Sequence, residues 1–298
     1  MKMNKKHILC IFVVLILIIT NSSYAFPKPM GRKSKMVSMS KFVDIPPEER
    51  MSNTTGTFAD DNNFSAIGLL RFVKPDGSTD YCTATVIRTN NGNIAITAAH
   101  CIWDIIDENW NTDFYFFPGY NNGNPGSLGA VRAHTFSIWS DFTKDETLYD
   151  YGFIKFYYQD GRKLQDDTGA FDCDFNVPPG EYQTTVFGYP YNSGEMDCPR
   201  DGQHLCEWQG NSFEFPNNLP NYQWHRGISI DVGSGSSGGP WIRNYDPNTN
   251  GGNIAGISHG WLPAPYPKEG TTSWAWLNDD FSLLLQDAEN YNPPMNNF

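Results

Sequence analysis

Gly235-Ser236-Ser237-Gly238-Gly239-Pro240 lies between two apolar runs, residues 228–232 and 253–258. A flexible glycine/serine linker does not suit a place between two strand-like segments. A serine hydroxyl is a weak nucleophile. It needs a base to take its proton and donors to hold the oxyanion that forms. Glycines around a serine let the backbone turn sharply and bring its N–H groups to one point. On this reading Ser237 is the nucleophile, and the N–H groups of Gly235 and Ser237 form the oxyanion hole.

The base has to be a histidine. Ile96-Thr97-Ala98-Ala99-His100-Cys101 places one at the end of an apolar strand, directly before a cysteine. The others are His7, in a leader segment, and His134, His204, His225 and His259, none in comparable surroundings. Cys82 is a candidate disulfide partner for Cys101, and a bridged hairpin would hold the imidazole in place. The orienting carboxylate should open a buried strand. Asp150, in Tyr149-Asp150-Tyr151-Gly152-Phe153-Ile154-Lys155, does so. A buried acid is costly unless paired, and a histidine N–H is a suitable partner. Asp141, Asp145 and Glu146 are alternatives in a polar loop.

These three motifs stand in the order His, Asp, Ser, with 50 residues between the first pair and 87 between the second. In order and spacing they resemble the chymotrypsin-like serine peptidases, whereas subtilisins and α/β-hydrolases order theirs differently. Phe117-Pro118-Gly119-Tyr120-Asn121, Tyr149-Asp150-Tyr151 and Phe187-Gly188-Tyr189-Pro190 resemble the bacterial secreted branch that includes the V8-like glutamyl endopeptidases. The resemblance covers residues 64–290. It implies an all-β fold, a double six-stranded antiparallel β-barrel with the site between barrels and a C-terminal helix. It implies peptide-bond hydrolysis through an acyl-enzyme on Ser237. Two features depart from trypsin-type zymogens. Ser236 stands where an aspartate receives the new N-terminus on activation, and no Ile-Val-Gly-Gly-like start is present.

Specificity stays open. Asp231, six residues before Ser237, matches the floor of the pocket for the residue preceding the cleaved bond and would favour Lys or Arg. Ser258-His259-Gly260 resembles a wall of that pocket. A histidine there would favour an acidic side chain, but His259 is displaced by one residue, and alternation along a strand would turn it to the other face. The two readings predict opposite substrate charges.

The rest of the chain fits a β fold. Short β-branched and aromatic runs (64–73, 81–87, 93–97, 114–117, 151–157, 182–188, 228–232 and 253–258) alternate with Asn-Gly, Asp-Gly and Pro-Gly turn signals. Phe281, Leu284, Leu285 and Ala288 follow helical spacing, with Asn278 or Asp279 as N-cap. Residues 61–298 are expected to be the peptidase domain, its two barrels divided near 160–180.

Lys2, Lys5 and Lys6, the unbroken apolar run 8–19 and Ser23-Tyr24-Ala25 read as a secretory signal peptide over 1–25. The run is short for a bilayer span, which disfavours an uncleaved anchor. Cys10 is then an apolar leader residue. Residues 26–60, basic and broken by Pro27, Pro29, Pro46 and Pro47, read as a propeptide or a simple extension without regular structure.

Net charge is −12, and more negative once the leader lysines are set aside. Such a surface repels nucleic acid and anionic membranes. The expected product is a secreted (extracellular or periplasmic) monomeric zymogen whose partner is a protein or peptide substrate. No cofactor or metal is expected, since no zinc-type ligand spacing occurs. Export permits disulfides. Five cysteines follow the leader, so at least one is left over. Cys198 and Cys206 could close a short loop, and Cys173 could pair with either. The rival reading from another class is a catalytically inactive secreted binding protein on the same fold. Asn53 and Asn63 head glycosylation sequons.

Overall fold

The computed structural model describes residues 34–38, 65–144, 149–158, 161–175, 177, 180–214, 225–262, 271–276 and 279–291. The leader, both sequon asparagines, Asp145, Glu146 and Asn278 lie outside them, as does the 26–60 extension apart from 34–38.

The first sheet is built from β1 (Ser34–Ser38), β2 (Ile67–Val73), β3 (Thr79–Val86), β4 (Ile94–Thr97), β7 (Thr112–Pro118), β8 (Val131–Trp139) and β9 (Gly152–Phe156). Between β4 and β7 the hairpin β5 (Trp103–Asp104) and β6 (Asn109–Trp110) stands apart. β2 pairs with β3 and β7, β3 with β4, β4 with β9, and β8 with both β7 and β9, which closes six antiparallel strands into a barrel. Its interior is filled by apolar residues of alternate strand positions, among them Leu70, Phe114, Phe116, Phe136, Ile154 and Phe156.

β1 corrects the expectation that residues 26–60 carry no regular element. β7 meets β8 only at Tyr115↔Arg132 and Phe116↔Val131. Further along, β8 pairs with β9 on one edge and with β1 on the other, from Ser34↔Trp139 to Ser38↔Thr135. The segment uses backbone groups to satisfy an edge that β7 leaves open. Pairing of that kind requires no apolar period, so the sequence does not advertise it.

The second sheet comprises β10 (Asp172–Cys173), β11 (Tyr182–Gly188), β12 (Cys206–Glu214), β13 (His225–Ile228), β14 (Pro240–Asp246), β15 (Gly251–Leu262) and β16 (Thr271–Trp276). β11 to β16 close through the β15–β16 pairing, and β10 adds to β15 in parallel. Val186, Met196, Ile228, Val232, Trp241 and Ala255 fill this barrel. Together the sheets form the double barrel that the resemblance implies.

The run 228–232 is only partly a strand. β13 stops at Ile228, while Ile230 and Val232 stay buried beyond it. The run is apolar because it is buried and not because it is paired. β12 shows the reverse. Its Glu207, Gln209 and Asn211 are exposed, so a genuine strand lacks an apolar run.

The helix Asp279–Asn290 buries Phe281, Leu284 and Ala288, with Leu285 half-buried. Phe281 packs on Phe153 and Phe175, each with its ring centre 4.9 Å away. The helix end is closed from β9. Lys155, 8 % exposed, donates from Nζ to the carbonyls of Glu289 (3.1 Å) and Tyr291 (2.9 Å). A cation there satisfies the orphan carbonyls of a C-terminus. Lys155→Met is therefore expected to destabilise the protein by about 1–3 kcal/mol. The measurement is the urea midpoint, and an unchanged midpoint would show that the helix end does not depend on this contact.

Candidate active site

β4 ends at Thr97, and a single 3₁₀ turn, Ala99–Cys101, follows. Ala98, Ala99 and Cys101 are fully buried, and Cys101 is bridged to Cys82 of β3. His100 is the residue of this turn that reaches the surface, its side chain 33 % exposed. The backbone is thus anchored on both sides of the imidazole by burial and by the disulfide. Cys198 and Cys206 form the second bridge, and Cys173 remains a free thiol. Burial and the nearby Asp172 and Asp174 push the Cys173 pKa up.

Asp150 precedes β9 and is 0 % exposed. Tyr149 before it adopts a left-handed conformation (φ 59°), uncommon for a bulky residue and worth about 1–3 kcal/mol of strain. Contacts of the Tyr149 ring with Trp139 and Tyr151, and its hydroxyl bond to Asp280 (3.1 Å), hold that turn. Asp150 Oδ1 accepts the His100 backbone N–H at 2.8 Å, and Oδ2 lies 2.7 Å from His100 Nδ1. The same Oδ2 is in contact with His259 Nδ1. Burial, the largest influence, acts to raise the Asp150 pKa. The charges and hydrogen bonds of His100 and His259 outweigh it and hold the carboxyl well below the usual carboxylate range. Asp150 is therefore an acceptor only, and each Nδ1 that meets it must carry the proton. In neutral His100 this leaves the Nε2 lone pair free to act as a base.

The serine loop runs from Gly233 to β14. Gly238 has φ 78°, and a Cβ there would stand 2.3 Å from Thr97 Oγ1 and 2.7 Å from the Ala98 nitrogen. Only glycine lets the loop lie this close to the chain that leads into His100. Thr83 of β3 clamps the loop from the first barrel. Its N–H donates to the Ser237 carbonyl (2.8 Å) and its hydroxyl to the Gly235 carbonyl (2.9 Å). Thr83 is fully buried, and its carbonyl accepts Thr97 Oγ1–H at 2.8 Å. Nothing in the sequence marks Thr83, which sits in an ordinary strand pattern beside Cys82. The N–H groups of Ser236, Gly238 and Gly239 donate to Gly233, Ser258 and Ser236 carbonyls. Those of Gly235 and Ser237 have no acceptor among the described residues. Ser237 Oγ likewise makes no hydrogen bond to His100 among them. Contacts of that type are often long before a substrate binds. Ser236 is buried, and its hydroxyl donates to the Val232 carbonyl at 2.8 Å, so it is a neutral and satisfied residue.

A cavity of about 300 Å³ adjoins the serine, lined by Ser237, Asp231, Ser193, Ser258, His259 and Gly260 among others. Asp231 lines it as the spacing suggests, with Oδ1 accepting the Gly233 N–H at 2.8 Å. Its backbone carbonyl accepts the Glu195 N–H at 2.7 Å. Alternation along β15 would send His259 away from the cavity, but the register shifts between Ser258 and Gly260. That bulge brings His259 round to the cavity and to Asp150. Ser258 is 1 % exposed, and its hydroxyl accepts Trp241 Nε1–H at 2.9 Å. Its backbone exchanges hydrogen bonds with Gly238 and Gly239, so it braces the serine loop.

No protein-family model and no curated protein matches the sequence. Solved structures share the fold. A thermostable serine protease, AL20, from an extremophilic microorganism matches with TM-score 0.65 at 22% identity, over 78% of this chain and 100% of that one. Protease Anisep from Arthrobacter nicotinovorans matches with TM-score 0.62 at 24% identity, over 76% and 94%. A Glu endopeptidase matches with TM-score 0.60 at 17% identity, over 79% and 96%. The structural neighbours of this chain are thus serine proteases of the chymotrypsin-like fold.

Proposed function

We propose that this chain is an exported serine endopeptidase. The observation that carries the reading is the buried Asp150 carboxylate bonded to His100 Nδ1, with the glycine-bounded Ser237 loop docked on the chain just before His100. His100 Nε2 takes the Ser237 proton as Oγ attacks the substrate carbonyl. The Gly235 and Ser237 N–H groups receive the oxyanion. The imidazolium formed is stabilised by Asp150 and returns the proton to the leaving amine, and water then hydrolyses the acyl-enzyme by the same base. Two disulfides suit an oxidising compartment, and no described helix is long and apolar enough to cross a membrane.

For the residue before the cleaved bond the cavity favours a cation. Asp231 offers a carboxylate to it, while the charge that His259 could offer an acid is already met by Asp150. Activation by removal of the 26–60 segment would not use the trypsin-type salt bridge, because Ser236 carries no charge. A fluorogenic peptide panel varying that residue tests the proposal. Lys or Arg substrates are expected to exceed Glu by at least about tenfold in kcat/KM. A Glu preference would move specificity to His259. Correctly processed protein that cleaves nothing would support the inactive binding protein instead.

A further inference from the structure

Asp150 serves two imidazoles, and the reaction proposed above uses only one. We propose that His259 is a positioning residue for that reaction: from the bulge in β15 its Nδ1–H holds Oδ2 of Asp150, so that the carboxylate faces His100 in a single orientation. The inference rests on the hydrolytic reading of Ser237, His100 and Asp150.

Among the described residues three donors meet this carboxylate. Two belong to the His100 turn, namely its backbone N–H at Oδ1 and its Nδ1–H at Oδ2. The third, His259 Nδ1–H, comes from β15 of the second sheet. A carboxylate that is 0 % exposed is shut off from bulk solvent, so each missing donor weakens its hold on one rotamer. His100 has a partly exposed side chain on a single turn, whereas the His259 side chain is 16 % exposed and stands on a twelve-residue strand. The more deeply seated of the two rings is therefore the one outside the proton transfer. The rings lie edge to face, with centres 6.3 Å apart, so both can meet one oxygen without stacking. The backbone gives independent support. A regular strand would turn position 259 away from the cavity, and the register shift between Ser258 and Gly260 reverses that. Bulges beside active sites commonly re-aim a side chain in this way.

The role also constrains what His259 can do for a substrate. Its Nδ1–H is committed to Asp150, so variation at 259 should act on turnover more than on recognition. The test compares His259→Leu and His259→Asn in the processed full chain, with kcat and KM measured on Lys, Arg and Glu substrates. Thermal unfolding controls for folding. Leu removes the donor and is expected to lower kcat about 10- to 100-fold, by the same factor on every substrate. Asn places an amide N–H where Nδ1–H stood and is expected to recover kcat to within about threefold of wild type, with KM little changed. A loss confined to KM, or one that follows substrate charge, would make His259 a substrate reader and overturn the proposal. An Asn variant as slow as Leu, or a Leu variant as fast as wild type, also overturns it. If the wild type hydrolyses nothing and is not phosphonylated at Ser237 by an organophosphorus fluoride, the hydrolytic reading fails and takes this inference with it. An active wild type with an indifferent Leu variant sinks the inference alone.

Discussion

Ser237→Ala should leave less than about a thousandth of wild-type kcat/KM on the best peptide substrate. The change removes the atom that attacks the carbonyl and nothing that holds the fold. Ser237 contributes its backbone carbonyl to Thr83 and its backbone to the loop, and alanine keeps both. No described hydrogen bond of the Ser237 hydroxyl is lost. Melting temperature and both disulfides should therefore match the wild type. The residual rate would come from water attack assisted by the Gly235 and Ser237 N–H groups. Activity above that thousandth, in protein free of wild-type contamination, would mean that another group is the nucleophile. Loss of activity together with loss of folding would say nothing about the chemistry, so the melt is part of the measurement.

Asp150→Asn should cost about 10⁴-fold in kcat. The geometry gives two reasons. Oδ1 meets a backbone N–H and Oδ2 meets two ring Nδ1 atoms, so all three neighbours are donors. An amide has one acceptor oxygen and one NH2 group. With its oxygen toward the rings, its NH2 faces the His100 backbone N–H. With its NH2 toward the rings, both imidazoles must move the proton to Nε2, and His100 then cannot accept the Ser237 proton. Retention of more than about a hundredth of wild-type kcat would contradict the assigned role. The same substitution has a signature in stability. The Asp150 pKa is lowered in the folded protein by its two imidazoles, against the opposing effect of burial. A depressed acid stabilises the fold fully above its unfolded value, about 4, and progressively less as the pH falls below it. Wild-type unfolding free energy should therefore decline below about pH 4, and the Asn variant should show a shallower decline there. Parallel curves would mean that Asp150 gains nothing from its partners on folding.

Much of the site is legible along the chain because its demands are local. A loop that has to adopt φ 89° at Gly235 and 78° at Gly238 restricts those positions to glycine, and the restriction is visible in the residues themselves. His100 beside a bridged cysteine and Asp150 opening an apolar strand are local too. So are the turn-punctuated strands and the helical spacing of Phe281, Leu284 and Ala288. Two segments that escaped reading belong to pairings that leave no composition signal, β1 against β8 and polar β12 between β11 and β13, while the run beyond Ile228 misled because burial without pairing gives the same apolar signal as a strand.

The candidate residues Ser237, His100 and Asp150 and the Cys82–Cys101 pairing were thus legible in the sequence alone, because each is marked by backbone preference, burial pattern or motif order within short stretches, whereas the double barrel was legible only as what the family resemblance implies. Only the tertiary structure decided that Thr83 clamps the serine loop, that Cys173 is the cysteine left over and that His259 shares Asp150 with His100. Asp150 and His259 are 109 residues apart, and the bulge that brings them together is set by how β15 registers against β16. Register between strands distant in sequence depends on the whole sheet, so no local stretch of residues records it.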